Sequence, residues 1–152
     1  MVWGCMGWNG VGIMAEVEGR MDAKQYMDIL EGNLLTSIQQ SGISQEDLLF
    51  QQDNDPKHKS KIAIQWFKDQ GITLLDWPPQ SPDLNPIEHL WTQLKNQLQD
   101  NYEVAPKGVW ELWERTAKEW EKIKPEDCQR LIESMPNRLK EVIRAKGGHI
   151  RY

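Results

Sequence analysis

The stretch SPDLNPIEHLW, residues 81–91, contains two acidic residues, two prolines and the beginning of an apolar pattern within eleven positions. Asn85 is a residue type favoured at a helix N-cap, and Pro86 suits the first helical position. Apolar residues follow at helical spacing, namely Ile87, Leu90, Trp91, Leu94 and Leu98. The stretch therefore predicts a helix that is capped by Asn85 and carries Glu88 in its first turn.

Two interpretations of Glu88 follow from this placement. At the third helical position its carboxylate can reach back to the backbone N–H of Asn85 and cap the helix. Each residue turns a helix by about 100°, so Glu88 also lies at the border of the apolar stripe, where a side chain can point into a cleft and bind a metal ion. This stretch alone favours the cap.

Asp53 ends the segment DLLFQQD, which has the short apolar run of a buried strand. Ligands of open α/β sheets collect beyond the carboxyl ends of the strands, so Asp53 is a candidate ligand. An ordinary turn through Asp55 and Pro56 is the alternative, and the sequence leaves both open. His58 and His89 lack the spacing of a zinc site, so oxygen ligands for Mg²⁺ or Mn²⁺ fit better.

The elements before this stretch predict a mixed α/β layer with some parallel pairing. In order they are a hairpin around Asn9-Gly10, a helix over about 22–40 opened by a capping box at Asp22 and Gln25, the strand ending at Asp53, a helix over about 58–70 closed by Gly71, and the strand ITLLDW.

The chain after residue 100 is predicted to be helical, with a basic tail, RAKGGHIRY, at its end. One apolar stripe consists of Trp110, Trp113, Ala117 and Trp120. A second continues around a break at Pro136 and consists of Leu131, Ile132, Leu139, Val142 and Ile143. Helical spacing favours core packing for the tryptophans over a ligand cage.

Composition limits the function further. The chain has 152 residues, a formal net charge of −5 and two distant cysteines, which favours one domain in a reducing, intracellular compartment. No apolar run is long enough for a membrane span, and a secretory signal is missing from the sequence, so we expect a soluble protein that is not secreted. A polyanion would meet the C-terminal half or the trio Lys57, Lys59 and Lys61.

Long motifs carry a family resemblance. QQDNDPKHKSK, followed by WPPQSPDLNPIEHLW, resembles the second half of the catalytic domain of Tc/mariner-type DDE transposases. Asp53 and Glu88 are separated by 34 residues, 54 to 87, a spacing typical of that group. The segments MVWGCMGWNGVG, VEGRMD and AKGGHIRY are also similar, so the resemblance covers essentially the whole chain. Lys59 stands where Thr is usual, and His89 where Asn is usual.

The resemblance implies a ribonuclease H-like mixed sheet with C-terminal helices and a site that holds two Mg²⁺ or Mn²⁺ ions. Asp53 and Glu88 would be catalytic metal ligands, with the capping role of Glu88 retained, while Asp55 would belong to the turn. The implied activity is metal-dependent DNA cleavage and strand transfer in transposition and integration. Transposon ends are the implied partner, with Lys57, Lys59 and Lys61 on DNA phosphates, a homodimer possible and no membrane involved. The compartment would be the nucleus in a eukaryote and otherwise the cytoplasm.

The resemblance also predicts what this sequence lacks. The first catalytic Asp of the family lies on a strand that precedes the position of Met1, so no first ligand is assigned in 1–152. Glu16 and Glu18 lie on the second hairpin strand, in the wrong place to substitute. Met1 is therefore interpreted as the start of a truncated copy or of an incomplete gene model, without the helix-turn-helix modules of the family.

The expected architecture follows from that missing strand. We divide the chain into a hairpin, helix and two core strands (1–77), a loop and the Glu88 helix (78–99), and C-terminal helices with the tail (100–152). The first central strand would lie between the hairpin and the strand that ends at Asp53. Two unpaired strand edges would face a gap, so the isolated chain is predicted to be poorly stable and close to inactive.

Two other functions remain open at this point. The chain could be an inactive transposon-derived remnant that serves, if at all, as a scaffold for protein or DNA, with Asp53 and Glu88 idle. It could also be an unrelated metal-dependent phosphodiesterase that uses Asp53, Asp55, His58 and Glu88.

Overall fold

The computed structural model describes residues 1–148, apart from the side chain of Gln45, and its elements follow the predicted order. The strands are β1 Val2–Trp3, β2 Met6–Gly7, β3 Gly10–Val11, β4 Ala15–Glu16, β5 Leu49–Phe50 and β6 Thr73–Leu74. The helices are α1 Ala23–Ile29, α2 Leu35–Ser41, α3 Lys61–Asp69, α4 Ile87–Asn101, α5 Val109–Glu121, α6 Pro125–Glu133 and α7 Met135–Arg144. Short 3-10 turns occupy Gln45–Asp47 and Pro82–Leu84.

The N-terminal hairpin is present, with its turn one residue earlier than predicted. β1 pairs antiparallel with β4, and β2 pairs antiparallel with β3 in a register that places Gly7 opposite Gly10. The two-residue turn is therefore Trp8 and Asn9. Gly10 closes the ladder with φ of 121°, a conformation that residues with a side chain rarely adopt.

The predicted helix over 22–40 consists of α1, a π-helical segment at Leu30–Leu34 and α2. The carboxylate of Asp22 accepts a hydrogen bond from the Gln25 backbone N–H at 2.8 Å. The Gln25 side chain donates to the Glu18 carbonyl instead of returning to Asp22, so only half of the predicted capping box forms. The helix ends at Gly42, whose φ of 69° allows the left-handed C-terminal turn.

The unit β5-α3-β6 confirms the predicted parallel pairing, with Leu49 opposite Thr73. The Ser60 hydroxyl caps α3 by accepting from the Ala63 N–H, so the helix begins at Lys61 and residues before it form turns. Its inner face packs on α1 and on the π segment. This first core consists of Tyr26, Leu30, Leu34, Leu48, Ala63, Phe67 and Ile72.

A second core joins the hairpin to the C-terminal helices around Leu90, Leu94, Trp120, Ile123 and Cys128. The Trp91 and Trp120 rings stack with centroids 4.8 Å apart, and Trp120 Nε1 donates to the Gly12 carbonyl at 2.8 Å. Trp120 therefore lies in the core as predicted. Trp110 does not, because it lies near the start of α5 and is 69% exposed.

The prediction for the second apolar stripe is wrong for α7. Leu139 and Ile143 are exposed, and the buried residue of this helix is Arg138. Arg138 is buried because α7 packs on the 3-10 turn Pro82–Leu84. There Arg138 donates from Nη1 to the Asp83 carbonyl at 3.1 Å. The predicted basic tail is described only as far as Gly148, and its last four residues lie outside the described part.

The predicted gap in the sheet lies between the hairpin and β5. Within residues 1–148, β1 pairs with β4 alone and β5 pairs with β6 alone. A cavity of about 670 Å³ separates the two edges and is lined by residues of the hairpin, β5 and α4. Over the same residues, no helix has both the length and the apolar composition required to cross a membrane.

Candidate active site

Asp53 and Glu88 come together at the cavity between the hairpin and β5. Asp53 follows the carboxyl end of β5, and Glu88 lies in the first turn of α4. Both side chains line the cavity. Partial burial and then the charge of Asp53 raise the pKa of Glu88 above its usual range. The two carboxylates are thus close enough to repel each other, although they are far apart in sequence.

Glu88 does not cap its helix, so this part of the sequence prediction is wrong. The Asn85 N–H that it was expected to reach donates to the Pro82 carbonyl at 3.0 Å, because a 3-10 turn leads directly into α4. The Asn85 side chain accepts from Gln51 Nε2 at 3.1 Å and does not cap the helix either. The Glu88 carboxylate accepts no hydrogen bond from the residues described here and is available to a ligand.

Asp53 takes part in the turn, one of the two roles that the sequence left open. Its Oδ1 accepts from the Asp55 backbone N–H at 3.1 Å, the hydrogen bond of an Asx-turn. The same oxygen lies 2.6 Å from His58 Nδ1. Oδ2 has no hydrogen-bond partner in the described part of the chain. The turn therefore fixes one carboxylate oxygen and leaves the other accessible.

Asp55 belongs to the turn, as its interpretation from sequence proposed. Its carboxylate accepts from the Lys57 N–H at 3.0 Å and from Lys57 Nζ at 2.6 Å. Burial raises the pKa of Asp55, but the hydrogen bonds and charge of Lys57 outweigh it, and the net shift is downward. Of the predicted lysine trio, Lys57 is thus paired and partly buried, whereas Lys59 and Lys61 are exposed.

His58 rests on a network that sequence reasoning missed. Its ring lies against the ring of Tyr26, with centroids 4.3 Å apart. The Tyr26 hydroxyl donates to Gln52 Oε1, and Gln52 Nε2 donates to the His58 carbonyl at 3.2 Å. Burial, followed by the charges of Asp53 and Asp55, raises the pKa of Tyr26, which keeps the hydroxyl protonated. The spacing of Tyr26, Leu30 and Leu34 in the sequence indicates a core position and gives no sign of this role.

Arg138 supports the loop that carries Glu88, and sequence reasoning missed it as well. It is 1% exposed, donates from Nε to Ser134 Oγ at 2.9 Å and holds the Asp83 carbonyl. Burial and then the charge of Arg138 lower the pKa of His89, which favours its neutral form. A basic residue in a polar helix predicts a surface position, so no sequence signal pointed to this contact.

The residues present fit part of a divalent-metal site. Asp53 and Glu88 offer the hard, anionic oxygens that Mg²⁺ and Mn²⁺ prefer. Within 1–148, no group of three or more His, Cys, Asp and Glu side chains is arranged to hold a metal ion. Glu16 and Glu18 are exposed and do not line the cavity. Two carboxylates of the chemical type that suits these ions therefore line the cavity.

The sequence matches a family model described as DDE superfamily endonuclease over residues 2–107. This chain belongs to that family. It is 40% identical over 152 residues to the Tcb1 transposase of Caenorhabditis briggsae, and 38% identical over 153 residues to the Tc1 transposase of Caenorhabditis elegans. All of the chain is covered in both alignments, and 54% of each relative. The chain thus spans about half the length of the curated relatives it matches, and its resemblance to the Tc/mariner type is confirmed.

Solved structures confirm the ribonuclease H-like fold. The Mos1 transposase catalytic domain, solved with raltegravir and Mg, matches with a TM-score of 0.85 at 18% identity, over 99% of this chain and 76% of that one. The Mos1 mariner paired end complex with Mn also matches with a TM-score of 0.85, over 99% of this chain and 44% of that one. The chain is a part of a transposase catalytic domain, and the scaffold alternative is not favoured.

Proposed function

We propose that this chain contributes two metal-binding carboxylates, Asp53 and Glu88, to a site that cleaves and joins DNA. The observation that carries the proposal is their convergence on one cavity, where burial and then the charge of Asp53 raise the pKa of Glu88. Two carboxylates that repel each other gain most from a divalent cation between them. The proposed ions are two Mg²⁺ or two Mn²⁺.

The chemistry of such a site is an in-line displacement at phosphorus. Bound divalent ions supply activation of the attacking water or DNA 3′ hydroxyl and stabilisation of the leaving oxygen. The chain itself contributes the geometry. The Asx-turn after β5 presents Asp53 Oδ2, and the first turn of α4 presents Glu88.

DNA is the proposed substrate, in particular the end of a transposon. Two findings support this. The curated relatives are transposases, and a Mos1 structure is described as a paired-end complex with left transposon end. Lys59 and Lys61 are exposed beside the site and suit sequence-independent contacts with phosphates. Such a protein would act in the nucleus of a eukaryote or in the cytoplasm of a prokaryote. A homodimer through the C-terminal helices remains a proposal, to be tested by light scattering.

A third acid completes the site in the family that this chain resembles. Asp55 also lines the cavity, but Lys57 occupies its carboxylate. We therefore propose that residues 1–152 bind metal without cleaving DNA, and that the first Asp must come from outside them.

The test is titration of the chain with Mn²⁺ by calorimetry. Asp53→Asn and Glu88→Gln are expected to weaken binding at least tenfold, because each removes an anionic ligand. Asp76→Asn is the matched control, since Asp76 is an exposed acid that follows the neighbouring strand β6. Equal affinity in the Asp53→Asn variant and the unaltered chain would refute the proposal.

The family match speaks against the alternative of an unrelated phosphodiesterase, although Asp53, Asp55, His58 and Glu88 all line the same cavity. That alternative predicts that metal binding survives in Glu88→Ala and disappears in His58→Ala. Loss of binding in Glu88→Ala excludes it.

A further inference from the structure

The His58 side chain is held in one orientation by its surroundings. It is 15% exposed and lies against Tyr26, which is 1% exposed. Gln52 ties the two residues together, because it accepts from the Tyr26 hydroxyl and donates to the His58 carbonyl. The His58 N–H also donates to the Asp55 carbonyl at 2.9 Å. Both the ring and the backbone of His58 are therefore fixed.

The His58 imidazole contacts Asp53 through one of its two ring nitrogens. Nδ1 lies 2.6 Å from Asp53 Oδ1, and an ionised carboxylate only accepts hydrogen bonds, so Nδ1 carries a proton. Nε2 is buried and has no hydrogen-bond partner within 1–148.

The Asp53 side chain depends on this contact for its orientation. It is 60% exposed, and an exposed side chain of this kind is free to rotate unless hydrogen bonds hold it. His58 and the Asp55 N–H both bind Oδ1, which directs the lone pairs of Oδ2 away from the turn.

We propose that His58 is a positioning residue for the metal site, an inference that rests on the proposed function. It fixes Asp53 through Oδ1 so that Oδ2 is presented to a divalent ion beside Glu88. Tyr26 and Gln52 hold the imidazole in turn. His58 itself does not bind the metal, because its free nitrogen is buried and its other nitrogen is engaged by Asp53.

Two substitutions separate this role from simple packing. His58→Phe keeps a ring against Tyr26 and removes the donor. His58→Asn loses the ring and keeps an N–H at a position equivalent to Nδ1. Each variant of the full 152-residue chain is titrated with Mn²⁺ by calorimetry, and thermal unfolding is recorded alongside. Outer-shell partners of metal ligands typically change affinity about 10- to 100-fold.

A positioning role and a packing role predict opposite orders of Mn²⁺ affinity for the two His58 variants. We expect His58→Phe to weaken Mn²⁺ binding at least tenfold and His58→Asn to stay within a few-fold of the unaltered chain, although His58→Asn unfolds at a lower temperature. Equal binding by His58→Phe, or weaker binding by His58→Asn than by His58→Phe, overturns the inference.

Failure of the proposed function gives a different pattern. If Asp53→Asn binds Mn²⁺ as well as the unaltered chain, or the unaltered chain binds none, the metal site and the role of His58 fall together. If Asp53→Asn loses binding while His58→Phe keeps it, only the inference about His58 fails. Long-range ¹H–¹⁵N spectra of the metal-free chain add a direct reading, since a proton on Nε2 instead of Nδ1 overturns the inference.

Discussion

Asp53 and Glu88 each have carboxylate oxygens that make no hydrogen bond within the described part of the chain. The 3-10 turn before α4 occupies the Asn85 N–H, so the Glu88 carboxylate has no capping duty. The Asx-turn and His58 occupy one oxygen of Asp53, so the other is free. Each carboxylate can therefore bind a ligand from outside the chain.

Glu88→Gln is expected to raise the melting temperature of the metal-free chain slightly at neutral pH. The folded state raises the pKa of Glu88, so its stabilising contribution is complete below the unfolded pKa of about 4.3 and is lost as the pH rises through the higher folded value. Glutamine does not ionise, so the variant keeps the stability that the unaltered chain loses when Glu88 becomes charged. Thermal unfolding across this pH range measures it, and a lower melting temperature than that of the unaltered chain at neutral pH would contradict the argument.

The same shift fixes the pH dependence of metal binding. Because Glu88 must be ionised to bind a cation, Mn²⁺ affinity is expected to decline with falling pH while the pH is still above the usual range of a glutamate. Calorimetric titrations at a series of pH values measure this. A decline that begins only near pH 4 would contradict the expectation.

Trp120→Phe tests the indole of Trp120 in the second core, through both its stacking on Trp91 and its hydrogen bond. Trp120 Nε1 donates to the Gly12 carbonyl, and loss of the donor leaves that acceptor without its partner. We expect a loss of about 1–3 kcal/mol in the free energy of unfolding, measured by denaturant titration. Trp110→Phe is the matched control, since Trp110 is 69% exposed and its replacement is expected to change stability by less than about 0.5 kcal/mol. Equal effects of the two substitutions would refute the assignment.

Among the elements, the hairpin is held by close contacts of its glycines and the C-terminal helix by a polar contact. A Cβ atom on Gly12 would lie 2.5 Å from Cys5 Sγ and 2.6 Å from Ser37 Oγ. The hairpin can therefore approach α2 only through a residue without a side chain. At the other end of the chain, α7 is anchored to the turn Pro82–Leu84 by Arg138. Both contacts fix elements that line or support the cavity.

Gly12→Ala is expected to destabilise the chain by about 1–3 kcal/mol, the usual cost of overpacking a tight contact. Gly32→Ala is the matched control. Gly32 lies in the π-helical segment with no atom within 4 Å of its Cβ position, so alanine is expected to stabilise by about 0.5–1 kcal/mol. Denaturant titrations compare the two, and changes of the same sign would contradict this account of the hairpin.

Arg138→Met is expected to cost about 1–3 kcal/mol and to loosen the loop before Glu88, because the Asp83 carbonyl loses a donor. Amide hydrogen exchange of residues 81–89 should accelerate, and thermal unfolding should shift downward. Arg144→Met serves as the control, since Arg144 is exposed and pairs only with Glu141 on the same helix in the described part. Unchanged exchange in the Arg138 variant would show that this contact does not hold the loop.

For the whole molecule, the cavity between the two sheet edges is the dominant feature. The hairpin packs Trp3 against the first core, and Met6 and Val11 against the second. β5 packs Phe50 against the first core, and the cavity between the hairpin and β5 is lined by Asp53 and Glu88. Unpaired strand edges are unfavourable and attract other chains. The unpaired strand edges, which limit stability, and the carboxylates Asp53 and Glu88 therefore face the same cavity.

The isolated chain is predicted to unfold at low denaturant concentration and to leave DNA intact in the presence of Mg²⁺ or Mn²⁺. Over residues 1–148, the physical reasons are the one-sided pairing of β1 and β5 and the presence of only two cavity carboxylates that Lys57 does not engage. Equilibrium unfolding and a plasmid-nicking assay measure the two parts. A cooperative transition with high midpoint, together with metal-dependent nicking that Glu88→Gln abolishes, would refute both.

The sequence by itself determined the order of elements, the presence of some parallel pairing and the two candidate carboxylates. These features are local or follow from periodicity. The motifs around Asp53 and Glu88 are long enough to identify the family, and the gap beside the hairpin was inferred from that resemblance. The predicted helix boundaries were less accurate where another group takes the backbone N–H, as at Asn85.

Only the tertiary structure decided the partners of these residues. Arg138 is buried although its helix predicts a polar surface, and Trp110 is exposed although its spacing predicts a core position. The contact of His58 with Tyr26 and Asp53 joins two distant parts of the chain. Such contacts depend on how elements pack against one another, and spacing within a single element carries no information about that packing.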